Sequence, residues 1–326
     1  MRITALAGGI GGARFLRGLR DDLAGDPAYS PDGSDPAEIT VIGNTADDIT
    51  LFGLRVCPDL DTLMYTLGGG IHEEQGWGRA EETFAVKGEL AAYGLEPQWF
   101  GLGDRDVATH VVRTLMLDQG YPLSQVTEAL CARWQPGVRL LPMSDERVET
   151  HVVIEDDDGR RAIHFQEWWV RLHATVPAVQ FVPVGVEDAK PAPGVLEALA
   201  DADVVLLPPS NPVVSIGTIL AVPGIRDVLA ATSAPVVGVS PIVGGAPIRG
   251  MADACLTALG LETSAEAVAG LYTGLLDGWL VSERDAGTVV ADVQVLARPL
   301  LMVDAPATRA LARAAFDLAL SLRSPA

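Results

Sequence analysis

The chain has 326 residues, of which 48% are apolar, so it can bury a sizeable core in about two domains or in one large domain with an insertion. Its formal charge of −20 argues against a nucleic-acid-binding surface, which needs clustered basic side chains. Cys57, Cys131 and Cys255 show neither zinc-ligand spacing nor a disulfide framework. No apolar run reaches the roughly 18 residues of a membrane span. We therefore expect a cytoplasmic protein that partners neither nucleic acid nor a membrane.

The predicted elements begin with a strand, a helix and a second strand. ITALAG at 3–8 predicts the first strand, 12–24 a helix and EITVIGN at 38–44 the second strand. The segment 25–38, rich in Asp, Pro, Ser and Gly, predicts a solvated loop. This strand–helix–strand order is typical of a parallel sheet.

Helical and strand patterns continue to the C-terminus. Residues 60–135 are predicted to be mainly helical, and ETHVVIEDDDGRRAIHFQEWWV predicts a hairpin that turns at 157–159. A last helix is predicted at 306–322, after apolar runs that alternate with helical stretches, at 179–185, 203–208 and 235–240. The sequence thus predicts one Rossmann-like α/β domain over 1–326. It has a mostly parallel sheet, helices on both faces and a helical insertion at about 60–135.

A glycine-rich segment, LAGGIGGARFL, follows the first predicted strand. Its glycines would let the backbone approach a phosphate, helix N-terminal N–H groups would point at that phosphate, and Arg14 adds a positive charge. Arg14 also replaces the third glycine of a dinucleotide fingerprint, and no Gly-Lys-Ser/Thr of a P-loop follows. The segment therefore predicts either a phosphate cradle or a tight strand-to-helix turn, built on Gly8, Gly9, Gly11 and Gly12.

Two adjacent carboxylates, Asp47 and Asp48, follow the second predicted strand. Ligands of open α/β sheets bind outside the carboxyl ends of the strands. At that place the pair could bind ribose hydroxyls, hold Mg²⁺ or accept a proton, and Asp59 and Asp61 could complete an oxygen-ligand set. The alternative is a helix N-cap with a charged first turn.

Two later segments, LLPPSNPVVSIGTIL and GVSPIVGGAPIRG, also place polar groups where predicted strands end. In the first, prolines fix the backbone around two polar side chains, and in the second, glycines offer backbone donors beside a cation. The first segment alone could be a capped turn, but three such loops converging, the glycine loop among them, would surround one anionic ligand. The groups concerned are Ser210, Asn211, Ser215, Gly244, Gly245 and Arg249.

Seven short motifs occur in order between the N-terminus and about residue 282: GGIGGARFL, NTADD, CPDLDTLMYTLGG, GLGDRD, LPMSDERVET, PSNPVVSIGTIL and SPIVGG. Together they resemble the 2-phospho-L-lactate transferase family of coenzyme F-420 biosynthesis, and most closely its actinobacterial branch. The resemblance implies transfer of a phosphoenolpyruvyl or 2-phospholactyl group to the ribityl hydroxyl of the deazaflavin FO (7,8-didemethyl-8-hydroxy-5-deazariboflavin). The donor would be linked to guanosine diphosphate, GMP would leave, and the enzyme would be a Mg²⁺-dependent homodimer.

The resemblance also implies roles for individual residues. The loop from Gly8 to Gly12 and the Ser210–Asn211 loop would contact the donor, and Lys87, otherwise a helix surface residue, would contact FO. Asp48 would lie near the ribityl hydroxyl and the metal, as base or as ligand. The candidate catalytic residues are Asp47 and Asp48, and the candidate metal ligands are Asp47, Asp48 and Asp61.

Two features qualify the resemblance. Arg14 and Arg249 stand where many relatives have lysine, which keeps the charge but alters the geometry. Regulators that bind nucleotide-sugars share the glycine loop and the Asp-Asp pair, so a regulatory protein of the same superfamily is the alternative function. CPDLDTLMYTL and GLGDRD belong to the transferase pattern and favour the enzyme.

Overall fold

The computed structural model describes residues 1–157 and 159–323, and within them a seven-stranded sheet forms the centre of the chain. All of its strand pairings are parallel. The strands in their order across the sheet are β14 (Gln294–Arg298), β13 (Gly278–Ser282), β10 (Val236–Val239), β9 (Val204–Leu207), β1 (Arg2–Ala7), β2 (Glu38–Gly43) and β5 (Arg139–Pro142). The predicted Rossmann-like architecture is confirmed.

Helices cover both faces of this sheet, and alternate strand residues enter opposite cores. Val204 and Leu206 of β9 pack into one hydrophobic core, whereas Val205 and Leu207 pack into the other. The first core is covered by α1 (Gly9–Gly25), α2 (Pro58–Leu67), α5 (Leu123–Trp134) and α11 (Ala305–Leu322). The second is covered by α6 (Val195–Ala200), α7 (Ile216–Ala221), α8 (Ile225–Ala231), α9 (Ala252–Ala258) and α10 (Ala265–Leu271). Burial on both faces explains why the central strands are continuous apolar runs.

Several predicted boundaries differ from the structure. The predicted strands at 3–8, 38–44, 203–208 and 235–240 are β1, β2, β9 and β10, and the last predicted helix is α11. Helix α1 begins at Gly9, so the glycine-rich segment forms its first turn instead of a preceding loop. Strands β5, β13 and β14 were not predicted from the sequence.

The segment between β2 and β5 contains a short antiparallel hairpin and most of the predicted helical insertion. The hairpin pairs β3 (Ile49–Leu51) with β4 (Leu54–Val56). After α2 come two further helices, α3 (Ala85–Ala92) and α4 (Asp104–Asp118), before α5 leads into β5. Among the described residues, no helix is both long and apolar enough to cross a membrane.

A second, antiparallel sheet is formed by β7 (Gly159–His164), β6 (Glu149–Asp156) and β8 (Ala178–Val184), in that order. The predicted hairpin is β6–β7, and its predicted turn includes Asp158, which lies outside the described residues. Its predicted second arm is too long, because a π-helical turn occupies Glu167–Arg171. Trp168 in that turn is buried against Phe165 and Phe181. The apolar run at 179–185 corresponds to β8, so it belongs to this small sheet and not to the central one.

The strand order places a topological switch point beside β1. The chain passes from β1 to β2 and β5 on one side, and then returns to β9 and β10 on the other. The crevice outside the carboxyl ends of strands at such a point is where open α/β sheets bind ligands. The segments that follow β1, β2 and β9 meet there.

Candidate active site

The glycine segment after β1 packs directly against the loop after β9. The Gly8 N–H donates to Ser210 Oγ at 3.2 Å, and the Ser210 hydroxyl donates to the Gly8 carbonyl at 2.8 Å. A Cβ on Gly11 would collide with the Pro209 carbonyl oxygen, and a Cβ on Gly12 would collide with Ser210 Oγ. Close contact between helix α1 and the loop after β9 therefore explains why glycine is required at these two positions.

This contact predicts a large difference between two glycine-to-alanine substitutions. Gly11→Ala must displace backbone, so we expect it to lower the free energy of unfolding by about 1–3 kcal/mol. Gly88→Ala in α3 meets open space, and we expect it to be neutral or to stabilise the chain by up to about 1 kcal/mol. Urea denaturation of both variants measures the difference. Equal effects would contradict the packing reason.

The N-terminus of α1 is capped by a carboxylate from another helix. Asp59 in the first turn of α2 accepts the Gly9 N–H at 2.8 Å and the Asn44 Nδ2–H at 2.9 Å. Gly9 has φ +62°, a left-handed conformation that favours glycine. Asp59 thus stabilises the positive end of the helix dipole. The sequence pattern groups Asp59 with possible metal ligands. In the structure its carboxylate accepts N–H donors at the N-terminus of α1.

Asn44 connects the segment after β2 to the segment after β9 and to Asp59, and no sequence pattern indicated this role. Its Oδ1 accepts the Thr218 hydroxyl at 2.7 Å and the Ala46 N–H at 3.0 Å, while its Nδ2 also donates to the Val214 carbonyl at 3.2 Å. The side chain is fully buried. The one sequence feature that could have indicated this role is the position of Asn44 directly after β2, in GNTADD.

Asp48 is a buried carboxylate with little compensation. Neither of its oxygens accepts a hydrogen bond among the described residues. Its nearest charge partner is Arg55 of β4, whose Nη2 lies 3.3 Å from Oδ2 and which also pairs with Glu149 at 2.8 Å. Burial raises the pKa of Asp48 to about 7, against the lowering effect of the Arg55 charge. Asp48 can therefore exchange a proton near neutral pH.

Asp47 and Asp59 are a second pair of buried acids next to Asp48. Burial raises the pKa of Asp47 well above its usual range, and the charge of Asp59 raises it further. Burial also raises the pKa of Asp59 to about 6, against hydrogen bonds from Asn44, Gly9 and Ser215. Asp47 Oδ1 has no hydrogen-bond partner within the described part of the chain. Adding a cation here would relieve both the desolvation and the repulsion.

Asp61 lies one helical turn into α2 and is already paired. Its Oδ1 accepts a hydrogen bond from the buried Arg113 of α4, and its Oδ2 lies 3.7 Å from His110 Nδ1. In the described ranges no three His, Cys, Asp or Glu side chains form a ready-made metal cluster. Mg²⁺ commonly uses one or two carboxylates together with substrate phosphates. The unpartnered oxygens of Asp47 and Asp48 fit that description. Among the described residues Asp61 also has one unpartnered oxygen, Oδ2, but its other oxygen is held by the buried Arg113.

Two arginines converge beside the first turn of α1. Arg14 donates to the Glu73 carbonyl at 2.9 Å, and Arg249 donates to the Gln75 carbonyl at 2.6 Å. The pKa of Arg14 is lowered by burial and by the charge of Arg249. Two cations held close together in a strongly acidic protein are well placed for an anionic ligand.

The remaining predicted donors are partly committed to structure. Gly244 and Gly245 both have positive φ in the tight turn between β11 (Ile242–Val243) and β12 (Ala246–Pro247), and the Gly244 N–H donates to Asp285 at 2.9 Å. Asn211 Oδ1 accepts the backbone N–H groups of Val213 and Val214, at 2.9 and 3.1 Å. Ser210 forms hydrogen bonds with Gly8, and Ser215 packs beside Gly8. The Gly244–Gly245 turn, in contrast, closes the β11–β12 hairpin.

Lys87 lies on the sparsely packed helix α3. No residue of this helix is fully buried, and its N-terminus is held by Asp104, which accepts the Val86 N–H at 2.9 Å. Lys87 itself is half-buried, and it forms no ion pair in the part of the chain that the structure describes. It is a cation available to a ligand.

Comparisons with known proteins agree on the family. A model of the family described as "2-phospho-L-lactate transferase CofD" matches residues 3–309. A phosphoenolpyruvate transferase of Thermobifida fusca is 69% identical over 324 residues, covering 99% of both chains. Proteins of the same name from Streptomyces griseus and Mycolicibacterium smegmatis are 67% and 60% identical, over 99% and 98% of this chain and 100% and 99% of theirs.

A crystal structure of a Bacillus halodurans protein is similar in fold alone. It has a TM-score of 0.61 at 16% identity and covers 97% of this chain and 99% of that chain.

Proposed function

The chain belongs to the 2-phospho-L-lactate transferase CofD family of coenzyme F-420 biosynthesis and is an enzyme that transfers a phosphate-containing group, and from this premise we propose its substrates. The acceptor is the ribityl hydroxyl of FO. The donor is an enolpyruvyl ester of the terminal phosphate of guanosine diphosphate, and the corresponding lactyl ester is the alternative. The names of the similar actinobacterial proteins favour the enolpyruvyl group. GMP is the leaving group.

The observation that carries this proposal is the buried Asp48 at the carboxyl end of β2. A primary hydroxyl is a weak nucleophile and needs a proton acceptor. The pKa of Asp48 is raised by burial to about 7, and its oxygens are free of hydrogen bonds among the described residues. It is therefore suited to accept the ribityl proton.

The proposed step is a displacement at the donor phosphorus that carries the enolpyruvyl ester. The ribityl oxygen forms a bond to that phosphorus as its proton passes to Asp48, and the bond from the phosphorus to the GMP phosphate oxygen breaks. Arg14 and Arg249, with the first turn of α1, balance negative charge on the phosphoryl oxygens. Asp47 would hold Mg²⁺, which when bound neutralises charge on the transferred group, and Asp48 would be either the proton acceptor or a second ligand.

The test is one assay on the purified chain. The protein, FO and Mg²⁺ are mixed with either the enolpyruvyl or the lactyl guanosine diphosphate donor, and the deazaflavin product is identified by mass. We expect dehydro-coenzyme F-420-0 from the enolpyruvyl donor. No product from either donor, with folded protein, would contradict the proposal and favour a nucleotide-sugar-binding regulator.

Lys87 provides a prediction about FO binding. We expect Lys87→Ala to weaken FO binding about tenfold, the equivalent of roughly 1.4 kcal/mol, because a charge-assisted contact is lost. Lys190, the other lysine of the chain, is exposed and remote from α3 in sequence, so Lys190→Ala is the matched control. Titration by FO fluorescence measures both. Equal affinities of the two variants would remove Lys87 from the site.

We also propose that the chain acts as a homodimer in the cytoplasm. Support comes from an apolar stripe on α4, where Val111, Val112 and Leu115 are 37%, 45% and 55% exposed. Light scattering of the purified chain tests the oligomeric state.

A further inference from the structure

The turn that carries Asp47 and Asp48 is held by the small antiparallel sheet, and not by the central sheet alone. Three consecutive carbonyls accept hydrogen bonds from that direction. The Ala46 carbonyl accepts the Thr150 N–H at 2.6 Å, the Asp47 carbonyl accepts Gln166 Nε2–H at 3.2 Å, and the Asp48 carbonyl bonds His164 Nε2 at 3.1 Å. We propose that His164 and Gln166 are positioning residues for the two aspartates, a proposal that rests on the function given above.

The hydrogen bonds of His164 define its tautomer. Its Nδ1 accepts the Gln166 backbone N–H at 3.0 Å, so the proton of the neutral ring is on Nε2. Nε2–H is then the donor to the Asp48 carbonyl. Gln166 therefore orients the histidine through its backbone and holds Asp47 through its side chain.

This support matters because the carboxylates have little support of their own. Both Asp48 oxygens and Asp47 Oδ1 lack hydrogen-bond partners in the described ranges. The direction of each carboxylate consequently depends on the backbone that carries it. Fixing successive carbonyls fixes the peptide planes of the turn, which leaves only the side-chain rotations of Asp47 and Asp48 free.

The positions of His164 and Gln166 follow from the sequence of the β7 arm. Phe165, between them, is buried with Trp168 in a separate hydrophobic cluster that contains Val152 and Ile154 of β6. That anchor turns the side chains on either side of Phe165 towards the aspartate turn. The small sheet thus connects the aspartate turn to a rigid apolar cluster outside the central sheet.

The test compares variants that keep or lose the two donors. His164→Phe and Gln166→Met preserve approximate size and remove the donor, whereas His164→Gln keeps an N–H near the position of Nε2. A misplacement of about 1 Å costs on the order of 100-fold in rate, so we expect kcat to fall about 10- to 100-fold in the first two variants. We expect unchanged KM for FO and for the donor, and recovery of most of the rate in His164→Gln.

His151→Phe is the matched control. His151 is the cross-strand neighbour of His164, with ring centroids 5.8 Å apart, and it has no hydrogen bond to the 46–48 turn among the described residues. We expect it to keep wild-type kcat. Urea denaturation of every variant separates a loss of rate from a loss of folded protein.

Crystal structures of Gln166→Met and His164→Phe give a second readout that does not depend on the substrate. We expect the Asp47 and Asp48 carboxylates to be displaced in both. Unchanged carboxylate positions, or displaced carboxylates with wild-type kcat, would overturn the positioning role. If the wild-type chain itself gives no product with FO, the proposed function fails, and the carboxylate positions in the two variants still decide the positioning role.

Discussion

Asp48→Asn is expected to remove most of the transferase activity while leaving the chain folded. Asparagine has nearly the same shape but cannot accept the ribityl proton or provide a negative charge to a metal. General acid–base catalysis contributes about 10²- to 10⁴-fold, so we expect kcat to fall within that range. The measurement is the rate of deazaflavin product formation at saturating FO, donor and Mg²⁺.

Asp201→Asn is the control for this prediction. Asp201 is exposed and precedes β9, at the opposite edge of the sheet from the candidate site. We expect it to keep wild-type kcat. An Asp48→Asn enzyme with full activity would exclude Asp48 from the mechanism, whatever the stability of the variant.

The same substitution is expected to stabilise the fold above neutral pH. The pKa of Asp48 in the folded chain, about 7, lies above its usual value of 3.8, so between these pH values the folded state binds more protons than the unfolded state. The free energy of unfolding therefore falls as pH rises through this window. At about 1.4 kcal/mol per pKa unit, an uncharged asparagine avoids a cost of a few kcal/mol at pH 8.

The effect of this substitution on stability can be measured without substrate. Urea denaturation in EDTA at pH 5 and pH 8 should show a larger gain for Asp48→Asn at the higher pH. A gain that does not change with pH would contradict the raised pKa. The buried charge of Asp48 then lowers the free energy of unfolding at a position needed for activity, as expected where activity and stability conflict.

The sequence predicted the central elements better than the edges. β1, β2, β9 and β10 are buried on both faces, so each is a continuous apolar run that is visible without a structure. β14 lies at the edge of the sheet and is only half-buried, and its pairing with β13 depends on contacts that a local pattern does not contain. β8 was also visible as an apolar run. Its sequence could not show that it pairs with the antiparallel strand β6 in a separate sheet.

The candidate site was predicted as a set of loops, not as a set of contacts. The sequence pointed to the segments after β1, β2 and β9, and the strand order brings those three together. It did not indicate that Arg55 faces Asp48, because the two are joined only when the β3–β4 hairpin folds back. His164 lies 116 residues from Asp48 along the chain, so no spacing rule could connect them.

The glycines illustrate why one pattern permits two interpretations. Glycine allows a phosphate to approach backbone, and it equally allows another protein segment to approach. At Gly11 the approaching atom is the Pro209 carbonyl, and at Gly9 the N–H is taken by Asp59. The proposed donor contact of this loop must therefore be made by the remaining groups of the first turn of α1, together with Arg14.

Arg113→Met is expected to have the largest effect on stability. Arg113 is fully buried, and it pairs with Asp61, donates to the Arg55 carbonyl at 3.3 Å and contacts His110 Nδ1 at 3.1 Å. Removing one partner of a buried ion pair leaves an uncompensated charge, which costs about 3–5 kcal/mol. Urea denaturation at neutral pH measures this loss.

The double variant Asp61→Leu/Arg113→Met separates the charge from the volume. Replacing both partners of a buried pair with apolar side chains is often nearly neutral for stability, so we expect the double variant to recover most of the loss. A double variant as unstable as Arg113→Met would show that packing around Arg113, and not the unpaired Asp61, causes the effect.

The same double variant tests whether Asp61 is needed for the metal. If Asp47 and Asp48 are sufficient, the Mg²⁺ concentration for half-maximal activity should match that of the wild type once the fold is restored. A large rise in that concentration in the stable double variant would place Asp61 among the metal ligands. The charge of Asp61 is already balanced by Arg113 in the structure, and for that physical reason we expect the unchanged Mg²⁺ dependence.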